Sequence, residues 1–448
     1  MNKNMLQKER AKIALEYAKQ SGCDNARVTL SSATQSSFTV RNNQTERIHQ
    51  SKSASLYIQL FTNDRYGSFS TNRMETAELK KFIEEAVRVT KLVTPDTYRS
   101  LPDKSLYYTG NGKDLEQHDN STSKLEPSQK NQIAFDCSSE IYKSDPRIIS
   151  VNSEFSDLDD YFYMIDSQGF EGESRQSSFS LSCECSVKGK GESRPEGWWY
   201  ESSIFFDSLK KNEIGKTALE RALSRLGSVK LKSGKYNMVL ENTISSRVIA
   251  PIISALNGAS LQQNNSFLKD MAGKKVFDGN FRLFDNPHLV KHAGSRYFDG
   301  EGIATKPMAI IENGVVNSYF INTYYSKKLK MPVTIEGPSV PMCKYSESPG
   351  NNPSGRDLGE ILKHCGNGVL VTGFNGGNTN SSTGDFSFGA EGFVFENGVI
   401  KHPVNEINIT GNIITLWNNL IDIGNDPRTS SRWLIPTLAF ENVNFSGI

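Results

Sequence analysis

At 448 residues the chain exceeds what one hydrophobic core sustains, so two or three domains are expected. Hydrophobic residues make up 36%, enough for real cores, while a mean hydropathy of -0.49 points to much exposed sheet and loop. Lysine and arginine (51) almost cancel aspartate and glutamate (50), which leaves no basic excess for phosphates and argues against a nucleic-acid partner.

The opening segment MNKNMLQKERAKIALEYAKQSG carries charges throughout and lacks the apolar stretch of a secretory signal. The longest apolar run, Val248–Leu256, falls far short of the ~20 residues that span a bilayer. Six scattered cysteines do not form a disulfide framework. A soluble, cytoplasmic protein with reduced thiols and no membrane partner is expected.

Residues 1–110 read as an N-terminal α+β domain. A helix ending near Gly22 precedes three alternating runs, ARVTLSS, SSFTVRN and SASLYIQLF, and Asn63-Asp64 turns the chain into RYGSFST. ETAELKKFIEEAVRVTKLV is an amphipathic helix closed by Pro95. Residues 111–227 read as a central, mainly antiparallel domain. It begins in a polar linker without a core pattern, then gains a helix from Asn131 and a run of strands with one wet face. KNEIGKTALERALSRLG closes it at Gly227. Residues 228–448 form the largest unit, with short strands and Gly/Asn turns; AIIENGVVNSYF and FVFENGVIKHPV each predict a hairpin at Glu-Asn-Gly. The fold class is α+β and multi-domain, the C-terminal domain being mainly antiparallel strands.

Few segments carry chemistry. His288 and His292 lie four apart, but two imidazoles without a third donor make a poor zinc site, and Leu289 stands where a general-base Glu would follow the first His. A structural or surface role is expected for both. Cys183 and Cys185 share one side of a strand and read as buried apolar residues. His364 beside Cys365 is not a catalytic arrangement by adjacency alone. The Gly/Asn/Ser/Thr-rich stretch Val371–Gly398 fits no phosphate loop; it reads either as a tight turn system or as the wall of a peptide-binding cleft. LENTISSRVIAPIISALNGAS, Leu240 to Ser260, reads as a core helix that starts late or kinks at Pro251.

Taken in order, Asn257–Phe277, Asp285–Thr305, Ile311–Met331, Asn375–Asn412 and Ile423–Gly447 resemble the TldD/PmbA family, the "modulator of DNA gyrase" proteins. In that family TldD-type chains carry H-E-x-x-x-H on a helix and a Cys ligand near the C-terminus, whereas PmbA-type (TldE) chains lack the ligands and pair with a TldD-type chain. Aligned on Leu256-Asn-Gly258, the motif's His, Glu and His positions hold Ile249, Ala250 and Ser254, and no cysteine follows Cys365. Zinc peptidases need the metal to acidify water and a carboxylate to take its proton.

The resemblance therefore implies a non-zinc PmbA/TldE-like subunit of a cytosolic metallopeptidase. Its expected partner is a TldD-like zinc peptidase chain, with zinc in that partner and no cofactor or catalytic residue here. Peptide substrates, unfolded or extended, would add to exposed strand edges, with Asn375, Gly376, Gly377, Asp385 and Phe386 expected along the cleft. The alternative is a homodimeric peptide- or protein-binding protein without catalysis. A homodimer of the isolated chain is expected to be feasible, since a surface made for a related partner can accept a copy of itself.

Overall fold

The computed structural model describes residues 3–345 and 356–447. Helix α1 (Lys3–Gln20) ends at Gly22, whose φ of +83° releases the chain into β1 (Asn25–Arg41). The runs ARVTLSS and SSFTVR are one strand. The polar residues between them stay extended because they are paired on both sides, with β2 (Gln44–Thr62) and β4 (Ile148–Asp166). The reversal falls instead at Asn42-Asn43, both at positive φ, in a two-residue turn that asparagine tolerates. Asn63-Asp64 makes the same kind of turn into β3 (Arg65–Thr71). Helix α2 (Thr76–Thr90) buries Leu79, Ile83, Ala86 and Val87 in a core shared with α1 and with Val28, Leu30, Ile58 and Leu60.

Helix α3 (Pro127–Ser139) opens with Pro127 in its first turn and a capping box between Glu126 and Gln129. β4, β5 (Glu171–Val187) and β6 (Glu196–Ser203) follow, then helix α4 (Ile214–Ser224). β4 pairs with β1, so all six strands form one antiparallel sheet in the order β3-β2-β1-β4-β5-β6, continuous across residues 110 and 111. Helices α3 and α4 cover the same face of β1 as α1 and α2, further along it, over Phe38, Phe155, Phe179 and Leu181. Burying a side chain such as Phe38 contributes about 2–3 kcal/mol. The other face is wet and rich in serine, with Ser156 and Ser180 hydroxyls 2.8 Å apart across strands.

The polar linker is docked. Leu115 and Gln117 are buried, and the Gln117 amide donates to the carbonyls of His292 and Ser295, each at 2.9 Å.

The C-terminal unit runs β7 (Gly234–Leu240), α5 (Ala250–Ala255), α6 (Gly258–Gln262), β8 (Phe281–Asp285), β9 (Met308–Glu312), β10 (Val315–Val316), α7 (Thr323–Leu329) and β11 (Pro341–Tyr345). It continues with α8 (Leu358–Cys365), β12 (Gly368–Phe374), β13 (Asn378–Thr379), β14 (Asp385–Glu396), β15 (Val399–Asn412), α9 (Ile413–Asn418), β16 (Leu420–Ile423) and β17 (Leu438–Ser446). Both Asn-Gly hairpins form, each residue at positive φ, but in different sheets: β9–β10 belongs with β8 and β11, β14–β15 with the larger sheet. In that larger sheet the pairing β12-β7-β17-β15-β14 returns to β12, so five strands close a ring in which only β7–β12 is parallel. A ring removes sheet edges except where a strand outruns its neighbour. β7 stops pairing at Leu240–Val371, while β12 and then β13 run on along β14.

Candidate functional site

Leu240 to Ser260 is a broken helix. After β7, Glu241 N–H donates to Val371 O at 3.1 Å, a single 3₁₀ turn spans Ser245–Val248, and α5 starts at Ala250 with Pro251 in its first turn, where the missing N–H costs nothing. Val248, Ile249, Ile252, Ala255 and Leu256 enter the main core, and the Trp417 indole N–H donates to Val248 O at 3.2 Å. Arg247, Ala250 and Ser254 face out. On the far side, Asn242 donates to Asp426 O at 2.6 Å and Ser245 Oγ to Ile435 O at 3.2 Å.

The Gly/Asn-rich segment meets this exposed face. Past β12 the chain bulges at Asn375–Gly377 and re-pairs as β13, Asn378 opposite Ser387 and Thr379 opposite Phe386. Gly376 (φ +86°) and Gly377 (φ +87°) occupy backbone that L side chains rarely adopt, and a Cβ on Gly377 would strike Ser387 O. Arg247 ties the bulge to the 3₁₀ turn. Its Nη2 donates to Gly377 O at 2.8 Å, and its guanidinium lies 4.9 Å from the Phe388 ring centroid, a cation–π distance. Nothing in the sequence pattern singled out Arg247. An exposed arginine before an apolar helix has no local signature, and only the ring closure brings it to Gly377.

Asn375, Gly376 and Gly377 therefore sit together, exposed, along the outrunning edge. Asp385 and Phe386 sit across it at the start of β14. The exposed Asp385 carboxylate accepts from Asn412 (2.9 Å) and Thr383 Oγ1 (2.7 Å), and these bonds hold its carboxyl below the usual aspartate range. Phe386 is buried and stacks on Phe388 with centroids 4.9 Å apart.

The chemistry of the donor set does not fit zinc at the aligned motif positions. Ile249 is 0% exposed in the core, and Ala250 and Ser254 offer no imidazole or carboxylate. Among the described residues no group of three His, Cys, Asp or Glu side chains is placed to hold a metal.

His288 lies in a turn and His292 in irregular loop, not on a helix, because Pro287 and Gly294 bracket a loop folded around the linker. His288 Nε2 is 3.1 Å from Thr305 Oγ1 and its ring 4.6 Å from Tyr297; burial lowers the affinity of both imidazoles for a proton. Cys183 and Cys185 point into the core under α3 and α4 as free thiols. His364 Nδ1 lies 3.0 Å from the buried Asp422 carboxylate, which Arg356 shares, while burial pushes the Cys365 thiol up to about 12, far from a nucleophile's range.

A continuous helix-covered sheet joined to a closed mixed ring, with a broken helix beside an outrunning edge of the ring, defines the fold class. Three family descriptions follow it in order: PmbA/TldA metallopeptidase domain 1 over residues 26–90, the central domain over 120–226 and the C-terminal domain over 233–447. The chain belongs to the PmbA/TldD metallopeptidase family. It is 28% identical to a Haemophilus influenzae protein named metalloprotease PmbA homolog, over 97% of this chain and 95% of that one. It is 45% identical to a modulator-of-DNA-gyrase structure from Bacteroides thetaiotaomicron, with a TM-score of 0.94 over 98% of this chain and 99% of that one. It shares the fold of TldE from Thermococcus kodakarensis at 18% identity, with a TM-score of 0.83 over 98% and 100% of the two chains.

Proposed function

We propose that this chain is the non-zinc, PmbA/TldE-like subunit of a cytoplasmic TldD–TldE-type metallopeptidase acting on unfolded or extended peptides, its zinc-bearing partner being a TldD-like chain. The observation that carries the reading is the set Ile249, Ala250 and Ser254. At the family's His, Glu and His positions it leaves one apolar core residue and two small exposed ones. What remains beside it is a strand edge, Thr372–Thr379, with exposed Asn375, Gly376 and Gly377. Such an edge suits extended chains because main-chain pairing makes little demand on sequence. Arg247 occupies two of its carbonyls, at 2.8 and 3.5 Å, so a docking strand displaces or reuses that guanidinium.

Native mass spectrometry of the protein purified from its own host at natural abundance tests this. A 1:1 complex with a related chain and one zinc per pair is expected. Zinc bound to this chain alone, or no related chain in the complex, refutes the subunit role.

A further inference from the structure

Arg247 stands at the candidate edge as a cation without a counter-charge. The edge itself, Thr372–Thr379, reads TGFNGGNT and holds no charged residue. The carboxylates on the strands and turn around it are engaged elsewhere: Glu241 with Arg221 at 2.8 Å, Glu391 with Arg225 at 2.7 Å, and Asp385 with Asn412 and Thr383. Among the described residues none lies within ion-pair distance of Arg247. The 3₁₀ turn that carries Arg247 is anchored on both sides. Ser245 Oγ donates to Ile435 O at 3.2 Å, and the carbonyl of buried Val248 accepts from Trp417. The guanidinium is exposed, held over the Phe388 ring and against Gly377 O. Both of its bonds to the edge use Nη2, which leaves Nε and Nη1 without a protein acceptor among the described residues.

We propose that Arg247 selects, among extended peptides, those with a glutamate or aspartate at the position that passes it, so that the substrate class of this edge is acidic peptides. The inference rests on the reading of Thr372–Thr379 as a peptide-docking edge and adds the chemistry of one side-chain position. In strand addition the main-chain bonds supply affinity for any sequence, while contacts to alternate side chains supply specificity. A docking strand needs the Gly376 and Gly377 carbonyls that Arg247 now holds. A carboxylate on that strand offers the displaced guanidinium a planar, oppositely charged acceptor for two parallel bonds, while Phe388 still supports its face. A neutral side chain returns less for the bonds given up, and a lysine sets a like charge against it. The order of preference is therefore Glu, then Gln, then Lys.

Three fluorescein-labelled nonapeptides of serine, threonine and valine, with Glu, Gln or Lys at the centre, test this by fluorescence anisotropy on the full chain. The Glu peptide is expected to bind about five-fold tighter than the Gln peptide at low salt, as a part-exposed ion pair allows, and the gap should shrink as salt screens it. Arg247→Glu is expected to reverse the order, with the Lys peptide bound tightest. Arg247→Lys keeps the charge but loses the fork, and should keep the order with a smaller gap. The reversal separates selection from a purely structural role, because an arginine that only ties the bulge would, when replaced, weaken all three peptides alike. Equal binding of the three peptides by the parent overturns the inference and leaves the docking edge standing. So does an Arg247→Glu chain that still prefers the Glu peptide. Binding of none of the three removes the docking edge itself, and the inference with it.

Discussion

Asp299 shows how strongly this fold can bias one side chain. It is 2% exposed, with Oδ1 accepting N–H bonds from Glu301 (2.9 Å) and Ile303 (3.0 Å) and Oδ2 one from Glu336 (3.2 Å). Burial, reinforced by the Glu336 charge, outweighs those bonds and pushes the carboxyl up to about 6. An acid raised in the folded state binds its proton more tightly there than in the unfolded chain, where aspartate titrates near 3.9. Its stabilising contribution is thus complete below about pH 4 and lost as pH rises through 6, an effect of about 2–3 kcal/mol. Urea unfolding of the parent and of Asp299→Asn from pH 4 to 7 should show the parent losing that much relative to the variant; a constant difference would refute it. Sequence alone gives no hint of this, since the perturbing Glu336 is remote along the chain. At the candidate site the residue scale was partly legible. Glycines in an Asn/Ser/Thr-rich run announce unusual backbone, as Gly376 and Gly377 have, but Arg247 gains its meaning only through a long-range bond.

Elements were legible where local chemistry sets them. The amphipathic α2 and the Asn63-Asp64, Asn313-Gly314 and Asn397-Gly398 turns follow from periodicity and from residues that accept positive φ. Strand lengths were not, because the polar centres of β1 and β4 resemble breaks until neighbours on both sides pair with them. The helix-on-sheet layers depend on small residues as well. Gly197 on β6 lies so close beneath α4 that a Cβ would collide with Ala218 O and Ala222 N. Its φ is ordinary, so the constraint is distance alone. Gly197→Ala should lift α4 and cost about 2–4 kcal/mol. The control is Gly169→Ala, where nothing lies within 4 Å and only the φ of +103° resists; it should cost about half as much. Denaturant midpoints with unchanged slopes would measure both, and equal losses would sink the close-approach argument.

Polar contacts at several points join the sheet to the C-terminal unit, among them Arg221 with Glu241 at 2.8 Å and Arg225 with Glu391 at 2.7 Å. Arg27 on β1 is buried, donating to Asp166 on β4 at 3.3 Å and to Glu301 O of the C-terminal unit at 2.7 Å, while Tyr107 donates to the same Asp166 carboxylate. Around this link Phe170, Phe298 and Tyr107 pack between sheet and loop, with the Phe170 and Phe298 rings 5.3 Å apart. A guanidinium and carboxylate so fully desolvated gain little over an apolar pair, yet removing one partner strands the other. Asp166→Ala should therefore cost about 3–5 kcal/mol. The Arg27→Met/Asp166→Leu double variant should recover most of that loss, since no buried charge is left unpaired. The geometry adds a second, separable consequence. Glu301 O faces Arg27 across the junction, so losing the pair loosens the docking of the two units as well as β1 against β4. Unfolding followed by sheet circular dichroism and by tryptophan fluorescence should coincide for the parent and separate for Asp166→Ala. Coincident transitions with a loss below about 1 kcal/mol would show that this buried pair does not hold the units together.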